Sequence, residues 1–225
     1  MGGVISMRLQ EFSTAGFHQT LEGKRQVYNF NPGWRFFKGD AKNAWQNNFD
    51  DSDWDIVDLP HGLELLPLNA SGSMNYQGSA WYRKRFELGA DCKGQKIFLY
   101  FEAIMGKSKI WVNGKLKAEH YGGFLPIVID VTDDVLIGRE NTAAVWTDNS
   151  NDPEYPPGKP QEQLDWTYFG GIYRDVWLYT TAPIHITDPM YVETVAGGGV
   201  FVHYETVSRE QAVVVIDTEV VNETT

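Results

Sequence analysis

The chain has 225 residues and carries 19 Lys and Arg against 30 Asp and Glu, a formal net charge of −11. Phosphate neutralisation needs clustered positive charge, but the longest basic run is Arg83-Lys84-Arg85, whose middle member strand alternation turns to the opposite face, so nucleic acid is excluded as a partner. The single cysteine, Cys92, excludes an internal disulfide and a multi-thiolate metal site, and no apolar run reaches the ~20 residues of a membrane span.

Residues 1–26 show no period and read as a tail or irregular lead-in, without the unbroken apolar stretch of a cleavable signal. That leaves a soluble chain with its compartment, cytoplasm or periplasm, undetermined. From there to residue 182 short apolar or alternating runs are separated by turn chemistry, which predicts an all-β sandwich. Trp81 to Leu88 is one such run, and Ile97 to Phe101 is continuously apolar, as a strand buried on both faces requires. Asn113-Gly114 joins Ile110-Trp111-Val112 to Lys115-Leu116-Lys117. Both turn residues tolerate positive φ, so a tight hairpin is predicted there. Pro126 to Val131, Thr142 to Thr147 and Ile172 to Tyr179 are further strands, and Thr132 to Leu136 is the best helical segment, with Thr132 as its N-cap. The longest loop is Asp148 to Leu164. A boundary falls at Thr180-Thr181-Ala182-Pro183. Beyond it Ile184-His185-Ile186, Val200 to Tyr204 and Gln211 to Val221 are too few strands to close a two-layer core, so residues 183–225 read as an incomplete second sandwich.

Individual residues add chemistry. The five histidines show no paired ligand spacing, so no transition-metal site is expected. Asp148, Asn149, Asn151 and Asp152 offer oxygen ligands that suit a hard cation, although a solvated loop explains them as well. Trp111, Trp146 and Trp177 lie in strands and are expected in the core, and Cys92, between Asp91 and Lys93, is an incidental thiol in a turn.

Five segments, in order, resemble the sugar-binding domain of family 2 glycoside hydrolases. Phe49-Asp50-Asp51-Ser52-Asp53-Trp54 with Val57-Asp58-Leu59-Pro60-His61 is similar to its early FDDSxW and LPH stretch. Gly78 to Lys84 is similar to its WYRK strand, and Phe101-Glu102 with Ile110 to Lys115 to its FEG and VWVNGK pair. His120 to Phe124 through Asp130-Val131-Thr132 follows, and Gly170-Gly171-Ile172-Tyr173-Arg174-Asp175-Val176-Trp177-Leu178 is a near copy of GGIYRDVWL. Gly62 departs from the pattern, since an acidic residue often follows LPH. The resemblance implies a jelly-roll (galactose-binding-like) sandwich over 27–182, then the first strands of an immunoglobulin-like sandwich over 183–225. A (β/α)₈ catalytic barrel belongs to the family but matches nothing in this chain.

A retaining glycosidase needs two carboxyl groups about 5–5.5 Å apart. In the family these are barrel glutamates, one of which follows an asparagine, whereas Asn222-Glu223 here stands in no matching context. The resemblance therefore implies that this chain holds no catalytic residue and is inactive alone. It implies substrate contact instead, by Asp165, which lies six residues before Gly171, and by Asn69, with Asn75 as its competitor. Trp166 is positioned to stack on a sugar face or to be buried beneath its loop. Arg174 and Asp175 are expected to form a strand-borne structural pair. The implied partners are a β-galactoside-type carbohydrate and the missing barrel. No cofactor is assigned to this chain, while a divalent or monovalent cation in the whole enzyme and a homo-oligomer are left open. Rival readings are β-glucuronidase or β-mannosidase of the same family, a free-standing carbohydrate-binding module, and a structural interaction domain.

Overall fold

The computed structural model describes residues 5–6, 25–64 and 74–224. In chain order its first strands are β1 (Ile5–Ser6), β2 (Gln26–Asn29), β3 (Trp34–Lys38), β4 (Asp55–Val57), β5 (Ser79–Glu87), β6 (Lys96–Phe101) and β7 (Lys107–Val112). There follow β8 (Lys115–Tyr121), β9 (Ile127–Asp130), β10 (Glu140–Asp148), β11 (Val176–Thr181), β12 (Ile184–Ile186), the one-turn helix α1 (Pro189–Val192), β13 (Val200–Val207), β14 (Ala212–Thr218) and β15 (Val220–Asn222). One sheet has the order β4-β3-β5-β10-β7-β8, with β1 laid parallel along the end of β5. The second, β2-β11-β6-β9, is antiparallel throughout.

These sheets form the expected all-β sandwich because alternation gives each an apolar inner face. Ala80, Tyr82 and Phe86 of β5, Ile110 and Val112 of β7, and Ala143 and Val145 of β10 meet Ile97, Leu99 and Phe101 of β6 and Val176 and Leu178 of β11, all buried. Strand β6 is buried on both faces, as its continuous apolar run requires: Phe98 points outward and stacks on Tyr179 at 4.9 Å, where Tyr191 of α1 meets it edge-on at 5.4 Å. The outer face of the larger sheet is covered by residues 40–54. Ala44 and Trp54 pack there on Trp81, which stacks on Trp111 at 5.4 Å. Trp111, Trp146 and Trp177 thus pack in these outer clusters and not between the sheets.

The Asn-Gly hairpin forms as expected, with φ of 49° at Asn113 and 78° at Gly114. Asn113 does more than turn: its side chain donates to Asp134 O and Asn141 Oδ1 and accepts from Thr142 N. The helix expected at Thr132–Leu136 is a turn instead. Asp130 Oδ1 accepts from Thr132 N at 2.9 Å, and buried Asn141 accepts from Leu136 N at 2.7 Å while donating to Leu136 O at 2.9 Å. The Asn141 side chain therefore takes the Leu136 N–H that a continuing helix would have paired with Thr132 O. Cys92 ends a single 3-10 turn of helix over Ala90–Cys92, and its thiol is buried in the main core beside Tyr28.

The basic run on β5 is internal. Lys84 faces the core, donates to Pro32 O and lies over the Phe30 ring at 4.8 Å. Arg83 and Arg85 face outward, yet both are captured by Asp51: Arg83 Nε donates to one carboxylate oxygen at 2.8 Å and Arg85 to the other at 2.5 Å. Asp51 is buried, so the early FDDSDW stretch exists to bury a counter-charge against β5.

Residues after Pro183 form two small ribbons, β12 with β15 and β13 with β14. Lys96 ties the first to the sandwich by bridging Asp130 at 2.6 Å and Glu223, just after β15, at 2.9 Å.

Candidate functional site

The sandwich gathers four connections at one end: residues 61–64 after β4, 74–78 before β5, 103–106 between β6 and β7, and 149–175 between β10 and β11. Backbone pairing draws them together. His61 N donates to Ile172 O at 2.8 Å, Leu63 N to Gly170 O at 3.2 Å, and Met105 N to Gly171 O at 3.0 Å. The chain passes so close to its neighbours here that side chains are excluded. A Cβ on Gly171, whose φ is +91°, would lie 2.4 Å from Tyr82 Oη, and one on Gly170 would lie 2.4 Å from Asn149 Nδ2. The Gly-Gly pair of the strongest motif is therefore a close-approach device that sets the height of the preceding loop.

Side-chain amides hold that loop. Asn149, buried, accepts from Gly78 N at 2.9 Å and donates to Tyr76 O at 2.8 Å. Gln161, also buried, accepts from Asn75 N at 2.8 Å through Oε1 and donates to Asn75 Oδ1 through Nε2. Asn75 Nδ2 in turn donates to Tyr168 O at 2.7 Å, and Gln77 Nε2 donates to Tyr168 Oη at 2.9 Å. Glu64 Oε2 accepts from Tyr76 N at 2.7 Å, and this bond with the nearby Lys38 ammonium holds its carboxyl below the ordinary glutamate range. Sequence reading missed Gln161, Gln77 and the structural use of Asn149, because a buried amide and a solvated loop amide look alike in a sequence.

Asp165 and Trp166 lie side by side on the exposed crest between Gln161 and Tyr168. Trp166 is 41% exposed and tilts against Tyr168 at 5.8 Å, so it is not buried beneath its loop. Asn69 lies outside the described residues. Asn75 stands beside the loop, but both ends of its amide are engaged by Gln161 and Tyr168, which makes it a structural brace. Asp148 accepts from Ser79 Oγ and Ser150 N, and Asp152 pairs with Lys107 at 2.8 Å, so these two carboxylates are engaged by separate protein groups.

The expected Arg174–Asp175 pair is corrected. Asp175 accepts from Asn31 Nδ2 at 2.7 Å, and Asn31 Oδ1 accepts from Val176 N at 2.8 Å, which tethers the start of β11 to the β2–β3 connection. Arg174 is exposed, sits in a bend before β11 and lies over the Tyr173 ring at 5.7 Å.

At this end of the sandwich the crevice between Met105, Asn149, Asp152, Tyr155 and Tyr168 opens to only about 10 Å³, room for one water. A larger cleft of about 630 Å³ lies between β8, β9 and α1 and shares no lining residue with the Asp165 loop. His61, half-buried with Nδ1 3.0 Å from Tyr82 Oη, has its pKa pushed down by burial, which keeps it neutral near pH 7. Among the described residues the arrangement thus offers a rim whose crest carries the exposed Glu162, Asp165 and Trp166, and no enclosed reaction chamber.

Residues 41–183 match the family of glycosyl hydrolases family 2, sugar binding domain. The chain belongs to glycoside hydrolase family 2. It is 34% identical over 216 residues to a β-glucuronidase of Formosa agariphila, covering 89% of this chain and 21% of that protein. It is 36% identical over 169 residues to a β-galactosidase of Thermoanaerobacter pseudethanolicus, covering 75% of this chain and 22% of the relative. The crystal structure of a Bacteroides uniformis β-glucuronidase superposes with a TM-score of 0.75 at 34% identity, over 89% of this chain and 22% of that one. The family 2 chain thus spans about a fifth of the length of the curated relatives it matches.

Proposed function

We propose that this chain is the substrate-shaping, non-catalytic portion of a retaining family 2 glycosidase that cleaves terminal β-galactosides, with hydrolysis performed by a pair of carboxyl groups on a barrel domain of the same protein. The observation that carries the reading is Asp165: an exposed carboxylate on the crest of a loop fixed from both ends, at the position where the family motif predicts a sugar ligand. An ionised carboxylate accepts from two adjacent hydroxyls, which suits a sugar ring, and the exposed indole of Trp166 supplies an apolar face beside it. Asn69 is proposed as a second polar contact on the motif alone.

A neutral sugar suits the local charge. Residues 148–171 hold Asp148, Asp152, Glu154, Glu162 and Asp165 against the single cation Lys159, and the chain as a whole carries −11, so a uronate would approach against repulsion. β-Glucuronidase is the second reading, favoured by the likeness to the Formosa agariphila and Bacteroides uniformis proteins. It requires a cation from elsewhere in the protein to receive the sugar carboxylate. The kcat/KM of the full-length protein for an aryl β-galactoside and an aryl β-glucuronide separates them. Preference for the galactoside supports the first reading, and preference for the glucuronide replaces it with the second.

Residues 27–182 are proposed as the sugar-contacting domain and 183–225 as opening strands of an immunoglobulin-like sandwich. In support of the latter, Val202 and Tyr204 of β13 and their cross-strand partners Ile216 and Val214 of β14 share one face of their ribbon and are exposed, as a face awaiting a second sheet would be.

A further inference from the structure

The crest that carries Asp165 and Trp166 has a weak backbone foundation. Among the described residues, the backbone–backbone hydrogen bonds within 150–168 run from Gln163 N to Pro160 O and from Leu164 N to Gln161 O, both local. Side chains join this stretch to the sandwich: Asp152 pairs with Lys107 before the crest, and at the crest two buried points seven residues apart, Gln161 and Tyr168, both converge on Asn75.

We infer that Gln161, locked to Asn75 by a reciprocal amide pair, is a positioning residue for sugar recognition, holding the near end of the Asp165–Trp166 crest while Asn75 Nδ2 holds its far end at Tyr168. The inference deepens the sugar-contact reading above and rests on it. Three features support the assignment. The Gln161 side chain uses both poles on one partner, accepting from the Asn75 backbone and donating to the Asn75 side chain, a pattern that fixes the amide orientation and not merely its place. Gln161 is 2% exposed, so truncating it leaves the Asn75 N–H and side-chain oxygen without this buried protein partner. The spine it grips is itself fixed, by Glu64 to Tyr76 N and by Asn149 to Gly78 N and Tyr76 O, so movement allowed by a broken clamp falls on the crest. A positional error of an ångström at a contact residue is enough to weaken recognition substantially.

The amide is chemically required. A carboxylate at 161 would turn an acceptor toward Asn75 Oδ1, so the isosteric Gln161→Glu should open the clamp while ionised and reclose it on protonation. The test combines amide hydrogen exchange of this chain with steady-state kinetics of the full-length protein on an aryl β-galactoside, or on the β-glucuronide if that is the sugar hydrolysed. Gln161→Ala and Gln161→Glu are expected to speed exchange across 162–168 about ten-fold while strands β5 and β10 keep theirs, and to lower kcat/KM by about ten-fold near neutral pH. Only the Glu variant should recover on acidification relative to wild type, a signature that general loss of packing would not produce. Unchanged exchange across 162–168 in both variants overturns the clamp itself. Faster exchange with wild-type kcat/KM overturns its role in recognition. The control Asp165→Ala addresses the underlying reading separately: wild-type kinetics there would remove the sugar contact without touching the exchange result.

Discussion

Replacing Asp51 should unfold the sandwich at a much lower temperature than replacing its neighbours in the same motif. Asp51 is buried and bridges Arg83, whose side chain is 0% exposed, and Arg85. Asp51→Ala removes both charge-assisted bonds and leaves the Arg83 guanidinium inside the protein without its counter-charge. Breaking one side of a buried pair costs about 3–5 kcal/mol. A domain of this size loses about 2–4 °C in Tm per kcal/mol, so the expected drop is roughly 6–20 °C. Asp51→Asn keeps the shape and one acceptor oxygen, and should lie between, near about 2 kcal/mol. Asp53→Ala, exposed two residues away, should stay within about 0.5 kcal/mol. Urea and thermal unfolding of the three variants measure this directly. An Asp51→Ala variant within about 1 kcal/mol of wild type would refute the claim that the motif exists to bury a counter-charge.

Lys84 gives a pH-dependent prediction: burial pushes its ammonium down to about 8, below the ordinary lysine value of about 10.4. Between those values the unfolded chain holds a proton that the folded chain has released, so this group's contribution to stability rises with pH across the window. Lys84→Met should lack that rise when urea midpoints at about pH 7 and about pH 9.5 are compared with wild type, and an identical pH dependence would contradict it. Asp175→Ala should cost about 1–2 kcal/mol by freeing Asn31, whereas Arg174→Ala should be neutral in the same melting assay. Gly171→Ala places a methyl 2.4 Å from Tyr82 Oη at a φ of +91°, so it should cost about 2 kcal/mol or more and speed exchange of the His61 and Met105 amides, which donate to Ile172 O and Gly171 O.

Much of the fold could be read from periodicity and turn chemistry, because both report on local physics. Asn113-Gly114 demands positive φ at two successive residues, and a tight hairpin satisfies that demand. Ile97 to Phe101 has no polar face, and β6 is accordingly covered on both sides. What escaped was decided by distant partners. Nothing local to Arg83-Lys84-Arg85 announces that Asp51, over thirty residues earlier, neutralises it, or that an aromatic ring and the Pro32 carbonyl receive Lys84. Thr132 to Leu136 has helical composition, yet Asn141 captures the Leu136 backbone groups first. The run Gln211 to Val221 divides into β14 and β15 at Glu219, whose N–H donates to Gly199 O, a partner twenty residues away in the chain. At the site, the motif pointed to Asp165, and its exposure at the crest is compatible with sugar contact. The amides that hold the crest could not be distinguished from solvated loop residues without their burial.

The central claim is that Asp165 touches the sugar. The direct measurement is the kcat/KM of full-length wild type and Asp165→Ala on the aryl glycoside the protein prefers, with melting of the two compared. Loss of a charge-assisted hydrogen bond to a substrate hydroxyl predicts a fall of about ten-fold to a hundred-fold with an unchanged melting temperature. Wild-type kcat/KM in the variant would contradict the account, and the crest would then be a structural loop.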